Sequence, residues 1–230
     1  LVEVAVNVEA DRVEYQIKRR VMNRCHAFWS FGFFGAGLIG AFVAEARISV
    51  STHLAGFLIV TSLATLFLVV RYSPAAPRPT EEGQDVKFVR PTKPILLLVM
   101  LTLSAMLLEG ASIDWSVIFM RDVFATPPFV SGLALALGAF SQFVVRFFAD
   151  HHVERHGPET ITRCSILALG VGVVLVALAP TPSIALAGFV LLGGGNAVIF
   201  PLAISAAAQR TDRPAAVNVA ALAQLSFVVF

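Results

Sequence analysis

Long apolar runs free of charge, separated by short charged clusters, dominate the pattern of this chain. A helix that crosses a bilayer needs about 20 mostly apolar residues, and eight stretches read as such spans. The first, Leu1–Ile17, is partial and unusually polar. His26–Ala44 is the second, and Ile48–Val70, with no Asp, Glu, Lys or Arg, is the third. The fourth, Pro94–Met120, is interrupted by Glu109 and Asp114, and the fifth is Ala125–Val145. The uncharged stretch Cys164–Gln209 is too long for one span. Pro180-Thr181-Pro182-Ser183 divides it into a sixth and a seventh, because two prolines around small polar residues make a turn. The eighth begins at Ala215.

So many helices, apolar all round, leave no amphipathic layer to cover a water-soluble core and must lie in lipid. The alternating ten-residue segments of a membrane β-barrel are absent. The expected fold is therefore an all-α polytopic transmembrane helical bundle. Composition agrees: 57% of residues are hydrophobic and 14% charged, against about 45–50% and about 25% in soluble domains. Disorder, a coiled coil and, with only Cys25 and Cys164, a disulfide scaffold are excluded on the same grounds. The chain opens at Leu1 and closes at Phe230 inside an apolar run. It is expected to be a segment of a longer protein, truncated at both ends.

Charge sets the orientation. Fourteen of the 17 Lys and Arg residues fall in alternate connections, whereas the opposite connections carry only Arg47 and Arg121. Basic loops stay in the cytoplasm, so the linkers after spans one, three, five and seven are cytoplasmic. With a net charge of +2, no nucleic-acid partner is expected. The segment Ser73–Lys93 contains Pro74, Pro77, Pro79 and Pro91 among mixed charges and reads as a flexible linker. It separates residues 1–72, the end of a first helical bundle, from residues 94–230, an incomplete second one.

An ionisable residue inside a span is costly and marks a candidate functional site. Glu109 lies 15 residues past Pro94, roughly 22 Å along the helix, in the outer half of the membrane. Desolvation disfavours the charged form of a carboxylate, so Glu109 is a candidate proton carrier; a carboxylate tied to a neighbouring helix is the alternative. Asp114, next to Trp115, reads as an interfacial acid paired with Arg121 or as part of the same pathway. Glu3 and Asn7 are four residues apart and share a helix face. They line a watery path or join helices. Gly193-Gly194-Gly195-Asn196, followed by Pro201, marks a loosened helix at a binding site or a close helix contact. Gly32, Ala36 and Gly40, and likewise Gly132 and Ala136, form small-residue faces for close packing. His26 and Trp29 read as interface anchors.

The cytoplasmic stretch from Arg146 to Gly157 carries Arg146 and Asp150 on one helix face, then Arg155 and a turn at Gly157-Pro158. His151, His152 and His156 lack the companion ligands of a metal site. No catalytic constellation is present, so no enzyme activity, cofactor or metal is expected.

Ala149-Asp150 followed by Arg155-x-Gly157 resembles the cytoplasmic loop signature of the major facilitator superfamily of secondary transporters. Ala149 replaces a glycine of that signature, and Pro158-Glu159 replaces its terminal basic pair. The resemblance implies that the eight spans are helices four to eleven of twelve. It then implies that Glu3, Asn7, Glu109 and Asn196 fall on helices lining a central cavity. It also implies alternating access, with Asp150, Arg155 and Gly157 at a cytoplasmic gate and Arg146 as their local partner or a phospholipid anchor. The stretches Asn7…Met22-Asn23-x-x-His26-Ala-x-x-Ser30 and Glu109-Gly-x-x-x-Asp114-Trp115-Ser116 are similar to a bacterial, sugar-permease-like branch. The expected function is transport of a small solute, a sugar or related metabolite, coupled to protons, by a monomer in the bacterial cytoplasmic membrane. The alternatives are efflux of hydrophobic compounds and a non-transporting receptor or scaffold. The topology has a direct test: a cysteine introduced at Ser73 is labelled by an impermeant thiol reagent from the cytoplasmic face, and labelling from outside alone overturns the orientation.

Overall fold

The computed structural model describes residues 9–10, 12–13, 15–18, 22–76, 90–213 and 215–229. From residue 22 onward these form eight helices: α1 (Met22–Glu45), α2 (Val50–Arg71), α3 (Lys93–Phe124), α4 (Pro128–His156), α5 (Pro158–Ala177), α6 (Pro182–Asn196), α7 (Ile199–Ala208) and α8 (Ala215–Val229). Six described helices are long and apolar enough to cross a membrane, counting α6 and α7 together. They correspond to spans two to seven. The eighth span is the shorter α8, and most of the first span, with Glu3 and Asn7, lies outside the described residues. So do residues 77–89 of the linker.

The helix ends follow local chemistry. Ser49 caps α2 by accepting the backbone N–H of Thr52 at 3.2 Å. Prolines open α4, α5 and α6 and stand in the first turn of α3, where a missing N–H costs nothing. Between α4 and α5 the chain turns at Gly157, whose φ of +82° favours glycine. The expected break at Pro180–Ser183 is the α5–α6 turn. In the loop before α8, two N–H bonds from Arg210 hold the Asp212 carboxyl below the usual carboxylate range. Asn218 of α8 donates to the same group at 3.1 Å, which fixes the loop to the helix.

Two apolar clusters hold the bundle. Met120, Ala134, Leu169, Phe189, Leu192 and Ile199 join α3 to α4, α5, α6 and α7. Ile95, Val99, Ala203, Ala207, Ala221 and Leu222 join the start of α3 to α7 and α8, where Thr102 also hydrogen-bonds Ser226 at 2.9 Å. Outward faces are apolar: Leu97, Leu167 and Val174 are exposed, and α2 buries no residue at all. Such surfaces suit lipid or further helices.

α1 lies antiparallel along α4. Asn23 meets Asp150, Ser30 meets Gln142 and Arg146, Ala41 meets Gly132, and Glu45 meets the start of α4. The Glu45 carboxylate accepts the Phe129 N–H at 3.0 Å, a favourable place for a negative charge at a helix N-terminus. The packing face of α1 differs from the one expected. A Cβ on Gly32 or Gly40 meets nothing within 4 Å, whereas Gly37 and Ala41 pack on Leu135 and Gly132. α1 meets α4 through polar contacts and through ring pairs such as Phe34–Phe140 and Phe42–Phe129, which the small-residue pattern does not register.

Glycine lets α6 approach its neighbours backbone to backbone. A Cβ on Gly193 would stand 2.0 Å from the Gly138 carbonyl oxygen of α4, and one on Gly195 would stand 2.8 Å from the Leu169 nitrogen of α5. The triple glycine thus makes the close helix contacts of the packing reading. Gly193→Ala should destabilise the protein by about 1–3 kcal/mol or more through overpacking. Gly170→Ala, where the added carbon meets open space, should be neutral or gain up to about 1 kcal/mol of helix propensity. Thermal unfolding of both variants in detergent checks this; equal midpoints would contradict the packing.

Candidate functional site

A break in the seventh span creates the site. The helical hydrogen-bond pattern lapses at Ala197–Val198, whose backbone stays in the right-handed region, and resumes at Ile199. In a continuous helix the Ala197 carbonyl would accept the N–H of the residue four further on, which is Pro201 and has none. Arg146 of α4 fills the vacancy: its Nε donates to the Ala197 oxygen at 2.9 Å. The arginine is 6% exposed, and its other nitrogens are also engaged. Nη1 donates to Ser30 Oγ of α1 at 2.8 Å, and Nη2 stands 3.7 Å from Glu109 Oε1 of α3.

Glu109 is held from two sides. Gln142 of α4 donates through Nε2 to Oε1 at 2.7 Å, and Asn196 of α6 donates through Nδ2 to Oε2 at 2.7 Å. Ser30 donates to Gln142 Oε1 at 2.9 Å, which orients that amide toward the carboxylate. The result is a network of five side chains on four helices, closed at the helix break. Asn196 is 4% exposed and its Oδ1 is buried without a hydrogen-bond partner among the described residues. Rotating that amide by half a turn exchanges donor for acceptor. Asn196 therefore suits either protonation state of Glu109: N–H toward a carboxylate, C=O toward a carboxyl hydroxyl.

Glu109, Gln142 and Asn196 also line a recess whose other walls are mainly apolar and include Trp29, Phe33, Ile113, Phe189 and Leu192. Trp29, expected as an interface anchor, is part of this wall, and its ring centroid lies 5.9 Å from the Arg146 guanidinium carbon. Asp114 is exposed and does not line the recess. Its expected partner Arg121 instead pairs with the adjacent Asp122 at 2.6 Å, because neighbours in sequence meet at least entropic cost.

The expected Arg146–Asp150 pair is not formed. Arg146 turns inward to Glu109, and Asp150 accepts from Asn23 of α1 at 2.5 Å. Four-residue spacing allows the intrahelical pair, but a buried guanidinium needs acceptors at its own depth. Arg155 is exposed and Gly157 forms the turn. His152 and His156 stack with centroids 6.0 Å apart, and no group of three potential ligands among the described residues is placed to hold a metal ion. Gln142 was missed from sequence, and Ser30 entered only through the branch resemblance, with no role assigned. Both are polar residues inside otherwise apolar spans, and Gln142 stands one turn before Arg146.

A family model described as Major Facilitator Superfamily matches residues 10–229. The chain belongs to that superfamily. Two relatives extend the match. An uncharacterized transporter of Sinorhizobium fredii, y4wD, is 34% identical over 98% of this chain and 59% of its own length. An uncharacterized MFS-type transporter of Yersinia pestis is 24% identical over 99% of this chain and 58% of its own. This facilitator chain thus spans about three-fifths of the length of the relatives it matches. No solved structure matches it. With its apolar helices, the superfamily membership makes it an integral membrane protein.

Removing one partner of a buried ion pair leaves the other charge uncompensated. Arg146→Met should therefore destabilise the full-length protein by about 3 kcal/mol, and adding Glu109→Gln should recover part of the loss. A double-mutant cycle by thermal unfolding in detergent checks this, and simple additivity of the two changes would refute the coupling.

Proposed function

We propose that the chain is the central part of a secondary transporter that moves a small solute by alternating access, with a proton carried on Glu109. The observation that carries this reading is the carboxylate of Glu109, gripped at both oxygens by neutral amides beside a single buried arginine. Neutral amides tolerate a change in charge. The idle acceptor of Asn196 gives the neutral acid somewhere to donate. Glu109 also borders the recess, so one group answers to both proton and solute.

The α1–α4 seam supports a gate. α1 precedes the linker and α4 follows it, so their contact joins the two proposed bundles. Asn23–Asp150 lies at its cytoplasmic end, and Arg24 stands over Phe147 close by. Breaking that end opens the cavity to the cytoplasm in this reading, with Asp150 as the gate residue. Arg146 acts deeper, at the Glu109 site. The relatives come from bacteria, which supports the cytoplasmic membrane as its place. Efflux of hydrophobic compounds is the second reading, favoured by the aromatic walls formed by Trp29, Phe33 and Phe189. A sugar finds fewer partners there: Glu109, Ser112, Gln142 and Asn196 are the polar side chains of the recess.

The test is uptake by the full-length transporter in proteoliposomes against a solute panel, with and without a pH gradient. Glu109→Gln should abolish uphill uptake and leave solute exchange intact. Uptake that still follows the pH gradient in Glu109→Gln would sink the coupling role.

A further inference from the structure

The groups that hold Glu109 are the groups that would recognise a carboxylate from outside the protein. Gln142 Nε2 and Asn196 Nδ2 point at its two oxygens at 2.7 Å each, and the Arg146 guanidinium supplies positive charge at 3.7 Å. The chain fills this cradle with its own side chain. Once Glu109 takes a proton, its charge disappears and its hydroxyl needs an acceptor, for which the buried Oδ1 of Asn196 is idle. Gln142 and Arg146 are then left with donors directed at a group that is no longer an anion. Arg146 remains buried, still bonded to Ser30 and the Ala197 carbonyl, and those two neutral partners do not balance its charge. A buried cation without a counter-charge is strongly unfavourable.

We propose that the solute is a small organic carboxylate with an apolar body, whose anionic group replaces the Glu109 charge at Gln142 and Arg146 when Glu109 is protonated. This inference rests on the transport reading above and names its cargo. The recess accounts for the rest of the molecule: Trp29, Phe33, Ile113, Phe189 and Leu192 surround its polar end with apolar surface. Proton and anion enter together, so the site keeps one negative charge beside one arginine in both states. The other elements around Glu109 add no competing charge at this depth among the described residues. α1 presents Trp29 and Ser30, α6 presents Asn196, α7 has no ionisable residue, and α8 meets α3 through Ser226 at Thr102. Arg146 of α4 is the charged group that faces Glu109.

Benzoate, with benzamide as its neutral isostere and glucose as a hexose control, probes this by titration calorimetry on the full-length protein in detergent. Benzoate should bind roughly tenfold or more tighter than benzamide, the margin of a charge-assisted hydrogen bond. Its binding should take up about one proton, read from buffers of different ionisation enthalpy, and should weaken as pH rises. In Glu109→Gln, permanently neutral, benzoate should still bind, now without proton uptake and with a flat pH profile. Arg146→Gln should erase the preference for benzoate over benzamide, and Arg146→Lys should keep part of it. If the Arg146 variants do not fold, the wild-type preference and proton count decide alone. Equal binding of benzoate and benzamide, benzoate binding without proton uptake, or binding of glucose but not benzoate would overturn the cargo class. The outcomes remain separable from the transport reading. If Glu109→Gln loses uphill uptake and benzoate shows no preference, only the cargo class falls. If Glu109→Gln keeps pH-driven uptake, the coupling role falls whatever the cargo.

Discussion

A carboxylate inside a membrane bundle persists only where donors meet its oxygens, and the donors of Glu109 come from helices that the chain must bring together. Gln142 and Arg146 belong to α4 and Asn196 to α6, while Ser30 of α1 orients Gln142 and Arg146 in turn. Each polar group inside lipid carries a large penalty if left alone. The network therefore selects one rotation and one depth for every helix that enters it. Apolar packing sets no such register, because leucine against leucine is little different from leucine against lipid. On α1, Gly37 and Ala41 face α4 from the same side as Ser30 and Asn23.

The break between α6 and α7 belongs to the same constraint. Pro201 removes one N–H, the Ala197 carbonyl loses its helical partner, and Arg146 supplies another. A defect in one helix is thereby converted into a fixed point for a cation from the next. The glycines just before the break serve a separate purpose. They let α6 press its backbone against α4 and α5, which carries Asn196 to within hydrogen-bond distance of Glu109. Proline frees the acceptor and glycine shortens the distance, and neither alone would assemble the site.

In the proposed transport reading, the seam between α1 and α4 connects this chemistry to motion. It is bonded at one end by Asn23–Asp150, midway through Ser30, and at the other end by Glu45 on the start of α4. The middle bond shares Arg146 with Glu109. A change in the charge of Glu109 is therefore felt at the contact between helices on either side of the linker, with no intermediary beyond one side chain. In the proposed reading, this is how occupancy of the cavity reaches the gate.

The sequence by itself determined the class of the protein and the position of its second to seventh membrane spans, and it singled out Glu109 as a charge inside one of them. Those features depend on the cost of charge in hydrocarbon, which is a property of each residue and its immediate neighbours. The turn at Pro180–Ser183, the turn at Gly157 and the close approach at Gly193 were legible for the same local reason. Tertiary structure alone decided the partners. Arg146 has Asp150 one turn away on its own helix, yet it bonds to Ser30 and Ala197 and faces Glu109, residues 116, 51 and 37 positions distant. Spacing along one helix reports which pairs are within reach. It does not report which acceptors lie at the same membrane depth on other helices, and for a buried guanidinium the free energy depends on that depth.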